Sequence, residues 1–300
     1  GNICAGRRVV DGPPCLLRAQ RSLSPIWTYR RTVLYVPPAG FFCAGGAADK
    51  QPPNTWFQPE LSGDIPAARS AHGVTTVSNM IYLFGGELGQ YWSEIYSNEL
   101  FSINVANAVC TKLQAGITGS PPSARRGMGF AAWDGILYVW GGMSVQGNLN
   151  DFYAFELAGM VWRQLDSSAG ITGSPPSARR FVGFTAHDGS LFVTFGFDEG
   201  GSKSDAYRYH IETKKWSPIT SDSSVPAARH GHGQALLGAN NLLYAFGGGN
   251  DFRNDMVVLD VHDEGASWVT LNVPGDLPAG RTGAGLAAVG WSTICFKCLH

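Results

Sequence analysis

From about residue 55 onward, apolar residues come in short runs broken by Gly, Pro, Asp and Asn, and no run sustains the 3.6-residue spacing of a helix. The clearest stretch is Gly127–Leu165. Gly127–Trp133 is small and Gly/Ala-rich, and Asp134-Gly135 behind it is a hairpin signal. Ile136–Trp140 is continuously apolar, Asp151–Leu157 is rich in aromatics, and Val161–Leu165 follows an Ala158-Gly159 turn. Four short strands are predicted, alternating or near-continuously apolar.

This pattern recurs. Ile117–Arg126 and Ile171–Arg180 are the same ten residues, ITGSPPSARR, 54 apart. A Pro-x-x-Arg or similar step places Arg69, Arg125, Arg179, Arg229 and Arg281 at intervals of 56, 54, 50 and 52 residues. Apolar second strands end in a glycine doublet at Gly85-Gly86, Gly141-Gly142 and Gly247-Gly248, and about twenty residues past the end of the second strand a tryptophan stands in three units, Trp162, Trp216 and Trp268. A lone four-stranded unit cannot bury both its faces, so units of ~50 residues must stack, and the expected fold is an all-β propeller.

The stretches PPSARRGMGFAAWDGILYVWGG and PAARSAHGVTTVSNMIYLFGG resemble kelch repeats, and the resemblance covers residues 55–291. It implies four-stranded blades, about five of them. The departures are Cys110 at the tryptophan position of the first unit and Gly196-Phe197 where the third doublet is expected. The ends are also ragged: Gly45-Gly46 precedes Trp56 by only ten residues, and the unit starting at Arg281 stops at His300. A strand around Trp56 closing the ring against strands at Leu286–Val289 and Thr293–Phe296 is one expectation; an incomplete or larger ring is the other. Residues 1–54 are expected to be an irregular segment or a degenerate partial blade, and 55–300 the propeller.

Composition narrows function. Charged residues are 15 % and the formal net charge is −1, which argues against a basic nucleic-acid binder. No apolar run approaches the ~18 residues of a membrane span. The Arg-rich, acid-poor start reads as a tail or a targeting segment. Six scattered cysteines in a chain this size read as reduced thiols, pointing to the cytoplasm or nucleus.

The repeated arginines have two readings: holding carbonyl oxygens of a neighbouring blade, or forming a ring of cations that recruits a carboxylate-bearing peptide, as in some kelch propellers. Occurrence in every unit favours the first. Arg126 and Arg180 break the repeat and are better candidates for contacting a partner. Tyr91, Trp92 and Tyr96 put three aromatics in the longest loop between second and third strands, and such residues are enriched at binding hot spots. Asp198 and Glu199, and Asp251, Phe252 and Arg253, sit in the corresponding loops of later units. His72, His230 and His232 fall in the repeated first-strand segment and are expected in the core or between blades. Cys295-x-x-Cys298 is at most half a zinc site. No nucleophile elbow, triad order or paired acids stand out; Asp251-x-x-x-Asp255 has Leu259 where an iron-dependent relative of the fold would need histidine. The expected function is therefore a protein-binding module with no cofactor that recognises an extended partner segment through loops on one face. The alternative is a metal-dependent or hydrolytic enzyme with its site in the channel mouth.

Overall fold

The computed structural model describes residues 59–89, 93–220, 225–237, 241–262, 268–272, 278–289 and 293–298. It is built from four antiparallel blades, each a meander from the inner strand outward. Blade 1 is Gly73–Val77, Met80–Phe84, Leu100–Asn104 and Val109–Leu113. Blade 2 is Gly129–Trp133, Ile136–Ser144, Gly147–Glu156 and Val161–Gln164. Blade 3 is Gly183–His187, Ser190–Thr194, Ala206–His210 and Lys215–Ile219. Blade 4 is Gly233–Leu237, Leu242–Phe246, Met256–Asp260 and Trp268–Leu271. A hairpin of Ala284–Val289 and Thr293–Cys298 follows as the inner half of a fifth unit. The expected β-propeller is thus present, and Trp56 lies outside the described residues.

Because neighbouring residues on a strand point to opposite faces, each second strand serves two interfaces. Leu137 and Val139 pack with Tyr82, Phe84 and Leu100 of blade 1, whereas Tyr138 and Trp140 pack with Leu191, Val193 and Tyr209 of blade 3. Leu243, Ala245, Val257 and Trp268 of blade 4 meet Phe192 and Phe195 of blade 3 in the same way. The core therefore lies between blades, and the uninterrupted apolar strands follow from burial on both faces. Trp162, Trp216 and Trp268 are all buried in these interfaces; Cys110 fills their place in blade 1 beside Ile81, Leu83 and Ile103.

Outer edges are covered as well. Ser62–Gly63 and Thr172–Gly173 pair in parallel with the fourth strands of blades 1 and 3, and Thr118 bridges Val161 in blade 2. The recurring pairing blunts what would otherwise be open sheet edges. It also accounts for the start of the ITGSPPSARR repeat. At Gly119 and Gly173, with φ near +76° and +77°, a Cβ would fall 2.1 and 2.0 Å from the carbonyl oxygens of Trp162 and Trp216.

Candidate functional site: the loop face

The connections between second and third strands and the arginine-bearing linkers share one face of the blades. Their geometry begins with four of the repeated arginines, Arg69, Arg125, Arg179 and Arg229, which are almost wholly buried. Arg125 donates from Nε to Ser123 O (2.9 Å), from Nη1 to Gly141 O (2.9 Å), and through both Nη atoms to the Asp151 carboxylate at 2.5 and 2.8 Å. Arg179 repeats the set with Ser177, Phe195 and Asp205, and Arg229 with Ala227, Gly247 and Asp255. Arg69 uses Ala67, Gly85 and Glu99. The carbonyls held belong to the arginine's own unit, not to a neighbouring blade as the sequence suggested. The backbone of the same residue makes the cross-blade link: Arg125 N–H donates to Ser97 O and Arg125 O accepts from Gly86 N–H, both in blade 1. Arg179 does this with Leu149 and Gly142, and Arg229 with Lys203 and Gly196. These four guanidinium groups are consumed by structure and do not form an open cationic ring.

The glycine doublets turn the chain at positive φ, from 61° to 100°. In blade 3 the doublet position is Phe195-Gly196, one residue earlier than the sequence reading placed it. Phe195 O takes the Arg179 bond that Gly85 O, Gly141 O and Gly247 O take elsewhere. Phe195 holds φ +56° while packing, fully buried, against Trp268 and His232.

Arg126 and Arg180 line a second, inner layer of this face. Arg126 pairs with Glu87 at 2.6 Å, both about 1 % exposed, and lies over the rings of Tyr96 and Phe181. Arg180 donates to Asn148 Oδ1 (2.8 Å) and stacks on Phe197 and Phe181. Phe197 packs edge-on against His230, whose Nδ1 meets Ser202 Oγ at 2.9 Å. Burial and then the Arg180 charge hold the His230 imidazole below its ordinary pKa. Tyr96, Arg126, Phe181, Arg180, Phe197 and His230 thus form one contiguous strip across blades 1 to 4.

The other candidate residues are distributed along the same face. Asp198 is buried and bound by Ser177 Oγ, Gly200 N–H and Lys203 Nζ; Glu199 is exposed beside it. Asp251 pairs with Arg253 at 2.7 Å, and Phe252 is 58 % exposed between them. Tyr91 and Trp92 lie outside the described residues. A groove of about 450 Å³ runs between Glu94, Ile95 and Tyr96 of blade 1 and Ser123, Val145 and Gln146 of blade 2. Ile95 and Val145, at its rims, are 59 % and 69 % exposed. Sequence reasoning missed Glu87, Val145 and the acidic partners of the arginines. The last were readable, since Asp151, Asp205 and Asp255 each lie 26 residues beyond their arginine.

His72 and His232 sit in the packed first-strand segment, each with an Nδ1 shielded from solvent. Burial, reinforced by Arg69 and Arg229, lowers their pKa values to about 4 and about 3. Among the described residues no set of three His, Cys, Asp or Glu side chains is arranged to hold a metal, and no helix is long and apolar enough to cross a membrane. Cys295, Cys298 and His300 fall where side chains are not described or outside the described residues.

The KLHDC2/KLHL20/DRC7 kelch-repeats domain model matches residues 51–248 and 167–296. The chain belongs to the kelch-repeat family. It is 29 % identical over 228 residues to human Host cell factor 2, covering 70 % of this chain and 28 % of that protein. The Leucine-zipper-like transcriptional regulator 1 homolog of Drosophila melanogaster is 25 % identical over 249 residues, 79 % of this chain and 24 % of its own length. An N-(sulfonatooxy)prop-2-enimidothioate sulfolyase of Thlaspi arvense is 29 % identical over 175 residues, 55 % of this chain and 48 % of the enzyme. The kelch domain thus spans about a quarter of Host cell factor 2 and of the fly regulator.

Proposed function

We propose that this kelch domain is a protein-interaction scaffold whose partner segment lies across the loop face, over the connections Glu87–Asn98, Met143–Asn150, Phe197–Ser204 and Gly249–Asn254. The observation that carries this reading is the placement of exposed apolar side chains. Ile95, Val145 and Phe252 protrude from these connections, and Ile65 and Val225 from the adjoining linkers, on a face whose charged groups are mostly paired. Exposed apolar side chains rimmed by polar groups mark interaction surfaces, and an extended peptide in the Ile95–Val145 groove would bury two of them. Tyr91 and Trp92, in the first connection, would add aromatic anchors. Likeness to Host cell factor 2 and to the fly transcriptional regulator agrees with a protein-interaction role.

Likeness to the sulfolyase supports a second reading, an enzyme with its site in the channel mouth. The carboxylates that reading would recruit are engaged elsewhere: Asp255 by Arg229 and Asp251 by Arg253. The experiment is affinity capture from a native lysate with the intact chain, Ile95→Asp/Val145→Asp, Tyr91→Ala/Trp92→Ala, and Val269→Asp on an outer strand. Partners retained by V269D and lost from the loop variants support the scaffold. Equal capture by all four removes the proposed face.

A further inference from the structure

On the opposite face, a cleft of about 200 Å³ opens at the junction of blades 3 and 4, lined by His187, Ser190, Arg208, His210, Asn241 and His262 among others. His187, Ser190 and His210 stand in one row, since Ser190 is the strand partner of both histidines. Arg208 reaches from blade 3 to donate an Nη2 hydrogen bond to Val261 O in blade 4, with its guanidinium over the Phe192 ring at 5.1 Å. Its Nε–H is buried and unpartnered. Arg69, Arg125, Arg126, Arg179 and Arg229 each face a carboxylate; Arg208 faces none among the described residues. The Arg208 side chain lines the cleft with a charge that no described carboxylate offsets, and an anion seated there would offset it.

The neighbouring donors point the same way. His210 Nδ1 accepts from Thr213 N–H (3.3 Å), so its ring hydrogen is on Nε2 and available to donate. His187 Nε2 donates to Asn241 Oδ1 at 2.7 Å, which fixes that ring across the blade junction. Asp188, the carboxylate of the described wall, is exposed and pairs with no lining cation. The histidines are not disposed as a metal set. We infer that this cleft is an oxyanion site that takes a phosphate group, with Arg208 as the charge partner and His210 and Ser190 as added donors. A guanidinium beside N–H and O–H donors suits the several acceptor oxygens and the charge of about −1.5 to −2 of a phosphate ester. The group arrives either as free phosphate or on a phosphorylated side chain of a partner. Such a partner would meet the propeller on the face opposite the loop surface.

The test is NMR titration of the histidine ring signals of the full chain, at constant ionic strength, with inorganic phosphate and separately with a phosphoserine peptide. Saturable shifts of the His187 and His210 signals, weakened about tenfold or more in Arg208→Gln, are expected. The tighter of the two ligands identifies the source. Should R208Q not fold, His210→Gln takes its place, with weakening of several-fold expected. Absence of saturable shifts with either ligand, or equal affinity in the variant, overturns the assignment.

Discussion

Removing the Asp151 carboxylate leaves the Arg125 guanidinium buried with its charge uncompensated, and breaking such a pair costs roughly 3 kcal/mol. Asp151→Ala is therefore expected to shift urea unfolding by about that amount, and Arg163→Ala, which removes an exposed pair with Glu156, to leave the midpoint unchanged. Two kinds of group set the acid limb of stability in different windows. His72 and His232 are held neutral by burial, so below pH 6.5 the unfolded chain binds protons that the folded one refuses. Stability falls as pH drops from 6.5 toward about 4 for His72 and about 3 for His232, by at most about 1.4 kcal/mol per pH unit for each. Burial pushes the Glu99 carboxyl up, but bonds from Lys112, Arg69 and Ser97 outweigh it and hold the pKa at about 2. Its contribution is present above pH 4.5 and lost between 4.5 and 2. Stability measured against pH in His232→Gln is expected to show a shallower slope between pH 6.5 and 3, with the Glu99 window unchanged. An unaltered slope contradicts the burial of that imidazole.

At the scale of elements, the strands were legible because hairpin turns and two-faced apolar runs state their limits in the sequence. The apolar run Ile136–Trp140 marks a strand and forms one, but that strand runs on to Ser144 and turns directly into Gly147–Glu156, because a bulge between Leu149 and Phe152 accommodates the added length. The linkers were less legible. Their short parallel pairing at Thr118 and Thr172 depends on a neighbour some forty residues away, which local pattern does not encode. The phase of the third doublet is hidden from local pattern for a related reason: Phe195 adopts a left-handed backbone that its side chain disfavours, held there by the Arg179 bond and the packing of Trp268. The close approach at Gly119 supplies a test. Gly119→Ala forces a Cβ onto the Trp162 carbonyl at a positive φ, and a loss of about 1–3 kcal/mol is expected in thermal or urea unfolding. Gly135→Ala, with open space around its Cβ, is expected to lose less.

At the scale of the molecule, one backbone series joins the blades. Gly127 N–H donates to Ala71 O, Phe181 N–H to Gly127 O, Gly231 N–H to Phe181 O, and Gly283 N–H to Gly231 O, at 2.7 to 2.9 Å. Each residue lies two beyond a repeated arginine and has positive φ. Arginine and series together tie each blade to the next. The amides of Gly127, Phe181 and Gly231 are accordingly expected to exchange only through global unfolding, the slowest class in the protein. Exchange at loop rates contradicts the series.

With the arginines used in that frame, recognition falls to what the frame displays. The candidate site was only partly legible, since Arg126 and Arg180 stood out by breaking the repeat while Ile95 and Val145 gave no signal beyond being apolar in a loop. The most direct measurement is a hydrogen-exchange footprint of a captured partner on the intact chain. The proposed scaffold predicts protection confined to Glu87–Asn98, Met143–Asn150, Phe197–Ser204 and Gly249–Asn254. Protection confined to the turns of the opposite face, such as Asp134-Gly135 and Asp188-Gly189, would contradict it.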